Sequence, residues 1–404
     1  MLYNVTRWWR YVALAAVVAL VSACGSSSGN AGASGDGSAK GAPIEIGYVA
    51  GLSGFDGSFS LPTLHGEEMA VKAINAAGGI HGRPLKLLSY DSGGNPAEAA
   101  ALETQLVDNS SVIATTGPIF DAEANATDPI ANRAGIPFIS FSWTNVGITY
   151  PDEFRVSMDY TLAQQEFYGI LTRLHVKRLA MWDDNDPTFA SSDATSIALI
   201  KKYTHLNPYI ISVSATQPSY TAEIQKLYNY KPQAIFDGGQ QGGEVDAPLQ
   251  GLEQLGVNMS KITVFCPDCV IPGETTVDGP GVDQGAITNS FVDYSKPGVK
   301  ALAAEDRRVY HEALSYGQVQ GWDAIHILAA ALGKPGATDS RAALLKAMNG
   351  LRNVPTLGGG PGYKISFSPG AGETHDAYRT PAAYTFDQVT NNGSLGPFNP
   401  ASVK

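Results

Sequence analysis

Residues 44–91 constrain the fold of this chain more than any other stretch. Ile44, Ile46, Tyr48 and Val49 make a short buried-strand run, which Gly51, Ser53 and Gly54 break. Met69, Ala70, Ala73, Ile74 and Ala77 then recur at helical spacing, and Gly78-Gly79 stops that helix. A second strand runs up to Asp91. The order is strand, glycine- and serine-rich loop, long helix, tight turn, strand, the opening of an α/β sheet.

The rhythm continues. Asn95-Pro96-Ala97-Glu98 reads as a helix start, with an Asn cap, Pro at the first position and Glu where a capping box places it. That helix is expected to reach about 108, with a strand at 112–115, a helix at 122–134 and a strand at 137–141. At Phe154-Arg155 the pattern restarts: helix 162–174, strand 178–182, helix 191–203, strand 209–213, helix 221–228, strand 234–236, helix 244–255 and strand 261–265. A strand at 286–292, helices at 299–314, 322–332 and 341–348, and strands at 363–367 and 382–389 complete the expectation. Strands alternating with helices in this way build parallel β-α-β units in doubly wound sheets. At 404 residues the chain suits two Rossmann-like lobes of that kind, joined by a hinge.

The N-terminus is a targeting segment and is set aside from the fold. Arg7 and Arg10 precede an apolar stretch at 11–21, short of the roughly 20 residues a membrane-spanning helix needs. It ends in Val21-Ser22-Ala23-Cys24, which resembles a bacterial lipobox, where cleavage precedes a lipidated cysteine. An ordinary signal peptide with an incidental cysteine is the alternative. Residues 1–23 are therefore expected to be removed, with Cys24 as the lipidation site. Residues 24–43, rich in Gly, Ser and Ala, are expected to form a flexible tether. The net charge of −11 and the lack of any lysine/arginine run argue against a nucleic-acid partner.

Cys266 and Cys269 remain. In an exported chain two cysteines so close read first as a local disulfide. A thioredoxin-like redox pair, free thiols and a metal site stay open, although Pro267 and Pro272 fit poorly with a redox pair opening a helix. The one G-x-S-x-G match, Gly25 to Gly29, lies in the Gly- and Ser-rich tether and not at a strand-to-helix turn; no H-E-x-x-H or P-loop occurs, and the seven histidines are scattered without a ligand spacing. No catalytic residue, cofactor or metal is expected.

The opening unit resembles the start of the type I periplasmic-binding-protein fold, and within it the branched-chain amino-acid-binding branch, the ligand receptors of ABC importers. Asn75, Gly78, Gly79, Gly82, Arg83, Pro84 and Asp91 match that branch's "INAAGGI-GRP" signature and its following strand in order and spacing. Trp322-Asp323-Ala324 resembles the family's "YDA" helix. The resemblance implies one lobe from 44–157 plus 293–355 and another from 158–292 plus 356–404. It also implies a small polar solute, amino-acid-like, amide or amine, caught by hinge closure, permease subunits as partners, and a monomer.

The family's contact positions carry over one by one. An aromatic six places after the "SG" serine is Phe59, and the serine that normally holds the ligand carboxylate is replaced by Asp121. In the "ISPAAT" loop, here Ile139 to Thr144, Ser142 and Thr144 take the contact places and Trp143 lies between them. A second-lobe tyrosine corresponds to Phe189, or Thr188 if the loop shifts; the residue after the "GG" pair is Gln240; the acid that pairs with the ligand ammonium is Asp268. Asp121 is the departure that matters. A ligand carboxylate beside it would meet like charge in a partly desolvated cleft, unfavourable by several kcal/mol in order of magnitude. Asp121 is then either a helix cap turned from the cleft or, with Asp268, one of two acids bracketing a cationic or multiply hydrogen-bonding solute such as an amine, polyamine or amide. Asp268 is alternatively a solvated loop acid beside the disulfide. Phe59, Trp143 and Phe189 read either as core or as an apolar or cation-π wall. A solute sensor of the same fold and a thiol oxidoreductase using Cys266 and Cys269 are the rival functions.

Overall fold

A computed structural model describes residues 41–54, 56–143, 148–185, 190–214, 216–239, 242–267, 285–389 and 395–399. The first half runs β1 (Ile44–Ala50), α1 (Gly57–Ala76), β2 (Leu85–Asp91), α2 (Pro96–Asp108), β3 (Val112–Thr116), α3 (Asp121–Ala134), β4 (Phe138–Ser140) and β5 (Glu153–Arg155). The second runs α4 (Tyr160–Arg173), β6 (Leu179–Asp184), α5 (Ala190–Thr204), β7 (Tyr209–Val213), α6 (Thr221–Tyr230), β8 (Ala234–Gly238), α7 (Gly242–Gln254), β9 (Thr263–Phe265) and β10 (Ile287–Ser290). There follow α8 (Pro297–Val309), α9 (Tyr316–Leu332), α10 (Arg341–Asn349), β11 (Val354–Pro355), β12 (Lys364–Ile365), β13 (Thr385–Val389) and β14 (Leu395–Pro397). Among the described residues no helix is long and apolar enough to cross a membrane.

The two sheets share one plan. The first has the order β2-β1-β3-β4-β5, all parallel. The second repeats it as β7-β6-β8-β9-β10, also parallel, and adds β13 and β14 antiparallel at its edge. This is the doubly wound α/β architecture expected from the sequence, present twice. In each sheet the strand order reverses beside the first strand, between β1 and β3 and between β6 and β8. Such switch points open a crevice at the carboxyl ends of the strands.

Local chemistry explains where the elements begin. Asn95 caps α2 as the sequence predicts, its Oδ1 accepting from Ala97 N at 2.9 Å and Glu98 N at 3.2 Å. Helix α9 starts at Tyr316 rather than Trp322, because Ser315 and Gln318 form a capping box six residues earlier than the hydrophobic periodicity suggests. Helix α8 stops at Val309 rather than 314, and His311 adopts a left-handed backbone (φ 61°) in the turn between the two. Helices α1 and α9 pack at backbone distance. A Cβ on Gly66 would lie 2.1 Å from the Gln318 carbonyl oxygen, and one on Gly321 2.0 Å from that of Thr63.

The passage between the sheets is anchored by Arg155, at the end of β5. Its buried Nη2 donates to Asp159 Oδ2 at 2.8 Å, just before α4, and to Asp376 Oδ2 at 2.5 Å, from the terminal segment. That segment differs from expectation. The strand foreseen at 363–367 shortens to β12, which pairs only with β11, and Ile365, Phe367, Tyr378 and Tyr384 pack in the same core as Ile44 and Ile46. The chain rejoins the second sheet at β13.

Candidate functional site

The carboxyl edge of the first sheet is densely hydrogen-bonded. Asp91 ends β2, and its Oδ1 accepts from Leu52 N at 2.7 Å and Gly93 N at 2.8 Å. Burial opposes its ionisation, but these amide donors outweigh it and hold the carboxyl below its ordinary value. Ser92 Oγ donates to Glu123 Oε1, whose carboxyl is raised by burial against the lowering effect of that bond. Asp121 is the first residue of α3. The cap position itself belongs to Phe120, which makes no side-chain cap bond, so the reading of Asp121 as the cap is corrected. Ser142 Oγ, fully buried, donates to Asp121 Oδ1 at 2.5 Å. Two residues singled out after successive strands thus meet, and a carboxylate stands at an anion-attracting helix N-terminus.

Phe59 is placed differently from its expected loop. Helix α1 begins at Gly57, so Phe59 lies in the first turn, 4% exposed, with its ring edge-on to Phe120 at 5.5 Å. It belongs to the core behind the crevice. Trp143 packs edge-on to Tyr316 at 5.8 Å, and Tyr316 in turn meets Phe291 at 6.3 Å. These three rings, with Met158, Pro267 and Asn289, line a narrow cavity of about 10 Å³ drawn from both halves of the chain. Among the described residues, Trp143 Nε1 and Asn289 Oδ1 here are buried with no hydrogen-bond partner. Asn289 Nδ2 is occupied by the Ala163 carbonyl, so its free oxygen is a fixed acceptor. Tyr316, Phe291 and Asn289 carried no signal of this role in the sequence, since they come from the start of α9 and the end of β10. Thr144, Phe189, Gln240, Asp268 and Cys269 lie outside the described residues. Cys266 is fully buried and disulfide-bonded.

The corresponding edge of the second sheet is acidic. Asp183 and Asp184 end β6, Asp237 lies near the end of β8, Asp193 is in the first turn of α5, and Glu244 is in that of α7. Asp184, Asp237 and Glu244 are buried. Asp183 and Asp193 share a hydrogen bond; burial and then the Asp184 charge raise Asp183 against the lowering effect of that bond, and burial followed by the Asp183 and Asp184 charges raises Asp193 to about 8. The convergence of acids from β6 and α5 carried no signal in the sequence beyond Phe189 or Thr188 as a contact position.

The sequence matches the periplasmic binding protein family over residues 43–380. An amino acid binding protein of Pseudomonas aeruginosa is 25% identical over 309 residues, 74% of this chain and 80% of the relative. Among solved structures, the branched-chain amino acid transporter substrate-binding protein of Streptococcus pneumoniae, in complex with isoleucine, superposes with a TM-score of 0.70 at 21% identity, covering 87% of this chain and 97% of the other. A solute-binding protein of an ABC transporter from R. palustris, in complex with benzoate, gives 0.70 at 18% identity, over 89% and 96%. The family match spans the first sheet and the parallel part of the second, with both switch points, and it is to a family of solute binders and not of enzymes. This chain belongs to the periplasmic binding protein family, with its two-lobed type I fold.

Proposed function

We propose that the protein is the extracytoplasmic solute receptor of an ABC importer, held to the membrane by a lipidated Cys24 and closing its two lobes on a small cationic or amide-like solute. The lobes are residues 44–157 with 293–384, because Ile365, Phe367, Tyr378 and Tyr384 pack in the first core, and residues 158–292 with 385–404, and the closed form docks on membrane permease subunits as a monomer. Hinge closure excludes water and strengthens every polar contact made to the solute. The observation that carries the solute class is the pair of unpartnered atoms, the Trp143 N–H and Asn289 Oδ1, at a cavity of about 10 Å³ that admits one small polar group of the solute and not the whole of it. One offers a donor and the other an acceptor, the complement of an amide or of an amine with a neighbouring carbonyl. Asp121 supports the same reading by occupying the helix N-terminus where a solute carboxylate would otherwise sit. Asp268 pairs with the solute ammonium; Ser142, Trp143, Thr144, Phe189 and Gln240 complete the contact set; and Cys266 pairs with Cys269 to stiffen the loop that carries Asp268.

A thermal-shift screen of α-amino acids, polyamines, amides and urea tests this. Stabilisation by an amine or amide is expected, and Asp268→Asn should weaken binding of an amine about tenfold or more. Strong stabilisation by leucine alone would overturn the solute class.

A further inference from the structure

Away from the cavity, three side chains far apart in sequence converge beside the start of α9. His65 on α1, Asp306 on α8 and Glu312 in the turn after α8 each offer a ligand atom, all within 4.8 Å of one another. His65 Nδ1 lies 3.0 Å from Glu312 Oε2. Two ligands at the usual zinc distances, on a tetrahedral ion, stand about 3.3 Å apart. The observed spacing needs little adjustment to admit one ion.

The second observation is Asp306 itself. It is fully buried, its Oδ2 accepts from Gln318 Nε2 at 3.1 Å, and its Oδ1 has no hydrogen-bond partner among the described residues. A buried carboxylate left half-satisfied is unfavourable unless a cation faces it. The groups acting on it are the Glu312 carboxylate, which makes matters worse, His65, and the exposed Arg307.

The surroundings fix the candidate ligands as outer partners do in metal sites. The His65 ring stacks on Tyr310 at 3.7 Å, and Tyr310 Oη donates to Glu68 Oε2 at 2.6 Å. Gln318, which holds Asp306, accepts through Oε1 from Ser315 N and Oγ at 2.8 and 2.7 Å. His65 and Glu312 are partly exposed, which leaves an entry path for an ion and a water.

We propose that His65, Asp306 and Glu312 form a binding site for a divalent transition-metal ion, with one imidazole nitrogen and two carboxylate oxygens as ligands and water in the fourth position. That donor set suits Zn²⁺ better than Mg²⁺, which prefers all-oxygen octahedral sites. The ion ties α1 and α8 to the turn that leads through Ser315 into Tyr316, and so steadies one wall of the solute cavity.

The test is calorimetric titration of the chelator-treated full chain with ZnCl₂, alongside melting temperature, with MgCl₂ as control. One Zn²⁺ per chain and a raised melting temperature are expected, with no comparable effect of Mg²⁺. Glu312→Gln, a volume-conserving change at a partly exposed position, and His65→Gln should each weaken Zn²⁺ binding by about 10–100-fold or more. The proposal is overturned if the wild-type chain shows no saturable Zn²⁺ uptake, if both variants bind as the wild type does, or if Mg²⁺ stabilises equally. A chain that binds Zn²⁺ but no amine or amide would leave this site standing and sink the proposed solute class.

Discussion

The two switch points have the same strand order and opposite electrostatics. On the first, each acid has donors of its own: Asp91 takes backbone amides, Glu123 takes Ser92, and Asp121 takes Ser142. On the second, Asp183 and Asp193 are bonded to each other and raised by burial and repulsion, with Asp184 adding to both. On the first edge burial still raises Glu123, but each acid there has a donor. On the second, burial and neighbouring acids keep Asp193 protonated near neutral pH, a state that a bound cation would shift toward ionisation. A receptor built this way has one lobe that presents a preformed surface and another whose charge is satisfied on closure.

The contrast depends on the first lobe being fixed by its scaffold, and the largest effect comes from disturbing that. Gly321→Ala places a methyl group 2.0 Å from the Thr63 carbonyl oxygen, so α1 and α9 must separate. A loss of about 3 kcal/mol in urea unfolding is expected, the upper range for overpacking. Solute affinity should fall with it, because Tyr316 opens α9 and lines the cavity. An unchanged affinity in the folded variant would mean that the first edge is positioned without the α1–α9 contact.

The second edge makes a prediction about pH. A carboxyl raised in the folded chain holds a proton that the unfolded chain, with its pKa near 4, has already released. The ligand-free protein is therefore expected to lose stability as pH rises from about 4 to 8, where Asp193 ionises. A cationic solute favours the ionised acids, so its affinity should rise about tenfold between pH 6 and 8. Asp193→Asn makes both slopes shallower: it should melt higher than the wild type at pH 8 and bind a cationic solute more weakly. A variant that melts lower at pH 8 would break the contrast between the two edges.

How much of this was legible in the sequence differs by kind of feature. The two sheets were legible because buried parallel strands are short apolar runs, and Gly, Pro and Asn mark their ends. The meeting of Asp121 and Ser142 was approachable because each follows one of two neighbouring strands, β3 and β4. The start of α9 was missed because its capping box, Ser315 to Gln318, precedes any hydrophobic repeat. Phe59 was misplaced because the Gly- and Ser-rich run at 51–58 gave no hint that α1 starts at Gly57. The grouping of His65 with Glu312, 247 positions apart, left no spacing to read. Local chemistry is written in order along the chain, whereas these contacts exist only once the helices pack.

The smallest effect is the sharpest test of the contrast. Asp121→Asn removes a charge that faces the α3 N-terminus and accepts from Ser142 at 2.5 Å. The amide oxygen still accepts from Ser142, so the expected loss of stability is about 0.5–1 kcal/mol, mostly the charge–dipole interaction. If the first-lobe acid is satisfied by its own lobe, cationic solute affinity should change far less than in Asp193→Asn. Affinity for a carboxylate-bearing solute should rise, because the like charge at the helix terminus is gone. Equal losses of cation affinity in the two variants, measured by calorimetry at pH 8, would show that the two edges share one negative field.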